Sequence, residues 1–174
     1  MKKIMFLAIA IMAFTFAGKA QTNNEQKTLT RIVQLQELIA NHLQEDCGIA
    51  SVDNYRKSIC EAAIFSIKNS EKLESLKGKE NISLLDITTL GVTIKEEADK
   101  TKEAMEMGEK AAKELKEFTE KSTKAGNPLK AAKAAKQAKA GSDIMGKGAT
   151  AIKIITDETV AKLKTIEEMT NAAK

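Results

Sequence analysis

Between residues 28 and 46, apolar side chains recur at spacings of three and four: Leu29, Ile32, Leu35, Ile39 and Leu43, with Val33 and Leu38 beside them. That is the stripe of an amphipathic helix, and Gly48 is placed to end it. A second helix is expected over 53–77. Tyr55, Ile59, Ala63 and Ile67 form its row, Ala62 and Phe65 widen it, and Leu73 and Leu76 resume it after a polar stretch. Ser51 or Asp53 can cap its start by accepting backbone N–H bonds, and Gly78 can close it at positive φ.

The clearest periodicity lies in a third helix, 84–122. A seven-residue repeat runs Leu84, Ile87, Gly91, Ile94, Ala98, Thr101, Met105, Gly108, Ala112, Leu115, and a flanking row holds Leu90, Ala104, Ala111 and Phe118. Such a repeat predicts a seam against a partner helix, and Ser83 with Asp86 resembles a capping box at its start. Ala125-Gly126-Asn127-Pro128 then punctuates the chain: Gly126 can end one helix, while Asn127 caps and Pro128 opens the next. The last stretch is expected as helices over 128–155 and 157–173, with a bend near Thr156-Asp157. Its row runs Ala131, Ala134, Ala138, Ser142, Met145, Ala149 and Ile152, then Val160, Leu163 and Ile166. Folding back about the turn places Met105 near Met145 and Ala112 near Ala138. The expected fold is therefore all-α. Antiparallel helical hairpins form an elongated bundle, with a long coiled-coil-like hairpin of about 84–122 and 128–173.

Residues 1–20 follow another logic. Lys2 and Lys3 precede an uncharged apolar run from Ile4 to Ala17, and Gly18-Lys19-Ala20 places small residues before a cut. This is the pattern of a cleavable secretory signal peptide, too short in its apolar part to span a membrane. Cleavage after Ala20 and a periplasmic or secreted location are expected, with 21–174 as one helical domain. Removing the segment lowers the formal net charge from +4 to +1, because Lys2, Lys3 and Lys19 leave with it. The basic character of the whole chain is thus no nucleic-acid signature. Only Tyr55, Phe65 and Phe118 remain as aromatics, which suits long paired helices with a thin core.

An exported chain with two cysteines suggests a Cys47–Cys60 disulfide, although a tight hairpin near Ala50 would set Cys47 opposite Val52 instead. His42 and Glu45 fall short of a metal site. GSDIMGKGAT, at 141–150, lacks the spacing of a phosphate loop. No catalytic residue, metal or cofactor is expected.

Two surfaces remain. Lys130, Lys133, Lys136 and Lys139 share one helix face; residues 126–154 carry a local charge of +5, against −3 for 21–125. Further on, Ile144, Gly146, Lys147, Gly148, Ile154 and Ile155 belong to a stretch that is apolar on several sides, which fits burial or a docking patch. Together these predict a non-enzymatic helical interaction protein: an adaptor, inhibitor, immunity-type protein or assembly factor. Its expected partner is another protein or a second copy of itself. The alternative is a membrane-active protein, binding anionic lipid through the Lys/Ala helix and inserting 144–155. Nucleic acid is disfavoured as a partner, since no aromatics accompany the lysines.

Overall fold

Four helices account for nearly all of the residues described by the computed structural model, which are 23–79, 81–123 and 127–173. They are α1 (Asn23–His42), α2 (Ala50–Lys77), α3 (Leu84–Thr123) and α4 (Pro128–Ala172). No strand occurs among the described residues. The expected signal segment 1–20 and Gly126 of the expected turn lie outside them. The all-α bundle is as expected: α3 pairs with α4 along most of its length, α2 lies against both, and α1 covers α4 and part of α2.

The long helices obey one rule. In α2 the buried row runs through Val52, Tyr55, Ile59, Ala62, Ser66, Asn69, Leu73 and Leu76, with Asp53, Ala63 and Ser70 buried beside it. In α3 they are Ile87, Leu90, Ile94, Glu97, Thr101, Ala104, Gly108, Ala111 and Leu115. In α4 they include Gly141, Ile144, Gly148, Ala151, Ile155, Glu158 and Lys162. Each set alternates steps of three and four, the spacing of an a/d coiled-coil seam. Each set contains two consecutive polar positions: Ser66 and Asn69 in α2, Glu97 and Thr101 in α3, and Glu158 and Lys162 at the end of the α4 set. A polar layer therefore divides the interior. On one side lies a large apolar cluster containing Leu35, Ile39, Leu43, Tyr55, Ile59 and Ile155. On the other lies a smaller one of Leu73, Leu76, Ile87, Leu90 and Ile94. Fully burying one such aliphatic side chain contributes about 1.5–3 kcal/mol.

The heptad of α3 differs from the expected one by a single row. Ile87, Ile94, Thr101, Gly108 and Leu115 face inward as expected. Their companions are the flanking row, Leu90, Ala104 and Ala111, while Leu84, Ala98, Met105 and Ala112 are exposed. In α4, Ser142, Ala149 and Val160 are likewise exposed. The hairpin register shifts accordingly: Gly141 abuts Leu115 and Gly91 abuts Ile166, while Thr159 reaches Glu97. Two of the small residues make room for side chains of α2. A Cβ on Gly108 would come within 2.8 Å of the Tyr55 ring, and one on Gly148 would collide with Ile59 and crowd Tyr55. The glycines of α3 and α4 form a slot for two large side chains of α2.

Other boundaries moved for local reasons. α1 stops at His42, four residues before its expected end. There the Gln44 side chain donates to the Ile39 carbonyl and Arg56 donates to that of Leu43, satisfying acceptors that another helical turn would have used. α2 begins at Ala50, and its N-cap, Ile49, offers no side-chain bond. Asp53 instead sits within the first turn and accepts from the N–H groups of Cys47 and Gly48 at 2.7 and 3.1 Å. Gly48 takes φ +80°, a conformation that glycine tolerates without penalty. Gly78, by contrast, ends α2 at φ −77°. α4 continues through Thr156-Asp157 as one helix rather than two, and the Thr156 hydroxyl donates to the Ile152 carbonyl within it. The expected caps are present at the other two starts: Ser83 Oγ accepts from Asp86 N, and Asn127 Oδ1 accepts from Leu129 N and Lys130 N.

Candidate binding site

The polar layer is built by all four helices. Glu97 of α3 is wholly buried, and Lys162 of α4 is 2 % exposed. Lys162 Nζ donates to Glu97 Oε1 at 2.8 Å and Oε2 at 3.0 Å, and to the Ser66 carbonyl and hydroxyl at 2.8 and 2.9 Å. Thr159 Oγ1 donates to Glu97 Oε1, and Asn69 Nδ2 to Glu97 Oε2. Both carboxylate oxygens and the ammonium are thus satisfied, the condition under which a buried ion pair is tolerated. Burial pulls the Lys162 ammonium below its usual range, while Glu97 pulls it back up.

Lys162 and Ser66 stand at the distance of a base and a nucleophile, a pairing that catalysis can use. Two features argue against it. Glu97 occupies the ammonium with two hydrogen bonds, and Ser66 is buried and does not line the neighbouring cavity. The layer is better understood as a device that fixes register, like a polar residue at a coiled-coil seam.

Glu158 behaves differently. It lies one turn before Lys162 on α4 and is 1 % exposed. Arg31 of α1 donates to Glu158 Oε1 at 3.1 Å, but Glu158 Oε2 has no donor. Burial pushes this carboxyl above the usual range, against the opposing pull of Arg31 and Lys162. Glu158 lines a cavity of about 530 Å³ between α1, α2 and α4. Its charged walls are Lys27 and Arg31 from α1, Glu74 and Lys77 from α2, and Glu158, Lys162, Lys164 and Glu168 from α4. A partly open cavity with convergent polar groups and one unsatisfied buried oxygen is a binding-site geometry.

The residues singled out from the sequence lie elsewhere. Lys130, Lys133, Lys136 and Lys139 are all exposed on the first turns of α4. Most of that stretch extends past the α1–α2 loop, whose Gly48 meets Gln137. Ile144, Gly148 and Ile155 are buried in the larger apolar cluster; Lys147 and Ile154 are half-buried, and Gly146 is exposed. Of the two readings of 144–155, burial describes Ile144, Gly148, Ala151 and Ile155, while Ile152 and Ile154 stay half-exposed. The expected disulfide is corrected, since Cys47 and Cys60 are free thiols. Cys47 faces Gly141 of α4, whereas Cys60 donates to the Leu43 carbonyl. Burial raises both thiols above their ordinary range.

Sequence reasoning missed Glu97, Glu158 and Lys162. A signal existed for the first. The row Leu90, Ala104, Ala111, Phe118 keeps a seven-residue period with one gap, and Glu97 fills it. No helix among the described residues is long and apolar enough to cross a membrane. Comparison of the chain with family models, curated proteins and solved structures gives no match.

Proposed function

We propose that this chain is a non-enzymatic helical binding protein of the periplasm or cell exterior, with its recognition site in the cleft between α1, α2 and α4. The observation that carries the proposal is the Glu158 carboxyl, buried on the cleft wall with one oxygen lacking a donor. Leaving such an acceptor unpaired costs about 1–3 kcal/mol, which marks the cleft wall as a place where stability was not optimised. The location rests on the signal-peptide pattern of residues 1–20.

The test compares the full chain with Ala161→Trp, which fills the cleft from its wall. Both are incubated with a small-molecule extract of the producing cells. Stabilisation in thermal unfolding of the first and not of the second, with the extract chemically unchanged afterwards, supports the reading. Conversion of any extract component indicates an enzyme, and equal behaviour of the two proteins places binding elsewhere.

One observation favours a second reading. The exposed Lys130, Lys133, Lys136 and Lys139 form a basic face suited to anionic lipid. This reading leans on its electrostatic half, since Ile144, Ala151 and Ile155 are buried. Flotation with anionic and neutral liposomes at low and high salt decides it: equal recovery under all four conditions removes this reading.

A further inference from the structure

The charges around the cleft differ in how far they reach its surface. Lys162 is 2 % exposed, and its donors go to Glu97 and Ser66. Glu158 is 1 % exposed. Its Oε1 accepts from Arg31, its Oε2 is buried, and burial favours its neutral form. Neither side chain therefore presents a charge to a ligand. The remaining wall carries Lys27, Arg31, Lys77 and Lys164 against Glu74 and Glu168, an excess of two positive charges. Those cations are also incompletely bonded. Lys27 is exposed, and Lys164 reaches Glu168 only at 3.9 Å, beyond hydrogen-bond distance. Lys77 gives one bond to Glu74. Arg31 gives one to Glu158, and a guanidinium has several more donors. A cationic ligand would have to compete with Lys77 and Lys164 for the accessible carboxylates. An anionic oxygen instead meets donors already in place, each able to make a charge-assisted hydrogen bond.

We propose that the cleft binds a small dianion whose charge lies on carboxylate or phosphate oxygens. Those oxygens accept from Lys27 and Arg31 of α1, Lys77 of α2 and Lys164 of α4, so the ligand ties together the three helices that form the cavity. Two charges on the ligand match the excess on the wall. The planar edge of Arg31 suits carboxylate and phosphate alike, because both offer paired oxygens to its fork of N–H groups. At about 530 Å³ the cavity has room for a molecule of a few carbons with bridging water. Glu158 holds the Arg31 guanidinium at the wall and does not itself contact the ligand. This inference rests on the cleft being the recognition site proposed above, and it deepens that reading by naming the ligand class.

Isothermal calorimetry on the full chain tests it with four probes: succinate, inorganic phosphate, acetate as a single negative charge, and putrescine as a dication. The expected result is that succinate or phosphate binds about tenfold or more tightly than acetate, while putrescine gives no heat. The tighter of the two dianions tells a carboxylate site from a phosphate site. Lys27→Gln combined with Lys164→Gln, both at exposed positions, should weaken the dianion by about tenfold, with helicity by circular dichroism unchanged. Lys110→Gln, at an exposed position of α3 outside the cleft, should leave its affinity as it is. Glu158→Gln keeps an acceptor for Arg31 and should bind the dianion at least as tightly as the wild type. Acetate or putrescine matching the dianions overturns the inference, as does an equal loss from Lys110→Gln or a loss from Glu158→Gln. Absence of heat from all four probes overturns it too. If extract still stabilises the wild-type chain and not Ala161→Trp in that case, the broader reading survives.

Discussion

Lys162 Nζ lies 2.8 Å from Glu97 Oε1, in an ion pair removed from water at the centre of a bundle otherwise packed by Leu, Ile, Ala and Gly. Its partners are 65 positions apart in sequence, and the bond joins the two arms of the α3–α4 hairpin. Desolvating two charges is expensive, and their attraction with the added bonds from Ser66, Asn69 and Thr159 offsets that cost.

Breaking one side of this pair should therefore be worse than removing both. Glu97→Ala strands the Lys162 ammonium and is expected to destabilise by about 3–5 kcal/mol. The double change Glu97→Leu with Lys162→Met is expected to be neutral or stabilising by about 1–4 kcal/mol. Urea unfolding of the three proteins measures this. A double variant no more stable than the single one would contradict the account.

Glu158 should act with the opposite sign from most carboxylates. Its native pKa is raised, so between the unfolded and folded values the native state holds more protons than the unfolded one. Stability from this group is then present at acid pH and lost as pH rises through the raised value. Glu158→Gln cannot ionise and should be the more stable protein at neutral pH, with the gap closing toward acid. Arg31 keeps a contact to Asp157 at 3.9 Å, so the substitution does not strand it. Urea midpoints from pH 4 to 8 give the comparison, and parallel curves for the two proteins would refute it.

Two glycines a few residues apart on α4 should respond oppositely to alanine. At Gly148 the new methyl meets Ile59 and Tyr55, and overpacking of this kind costs about 1–3 kcal/mol. At Gly146 it meets nothing within 4 Å, so the gain in helix propensity, about 0.5–1 kcal/mol, should appear as added stability. Thermal unfolding separates the two signs.

Both cysteines should remain reduced in the folded protein. Intact mass should show no loss of hydrogens from a disulfide. Alkylation by iodoacetamide should be slow until urea exposes the buried Cys47 and half-buried Cys60, whose thiols ionise reluctantly. The same mass measurement on exported material should begin at Gln21, as expected from the Gly18-Lys19-Ala20 pattern. A chain that starts elsewhere would refute the cleavage site.

Much of the architecture is written locally. The apolar spacing marks all four helices, Ser83 and Asn127 mark two of their starts, and Pro128 can only open a helix at that point. These are short-range effects of hydrogen bonding and φ, and neighbouring residues settle them. Which row of α3 faces inward is a different kind of question. Leu84, Ala98, Met105 and Ala112 flank the shared seam on one side, and Leu90, Glu97, Ala104 and Ala111 on the other. Local hydrophobicity favours the first row, since the second contains an acid. The second is buried because Lys162, supplied by a distant helix, pairs with that acid. The sequence alone therefore determined the helices and the hairpin that joins α3 to α4. The choice of faces, and with it the Glu158 cleft, was decided by pairing between residues far apart in the chain, where the free energy of one side chain depends on another that no local pattern identifies.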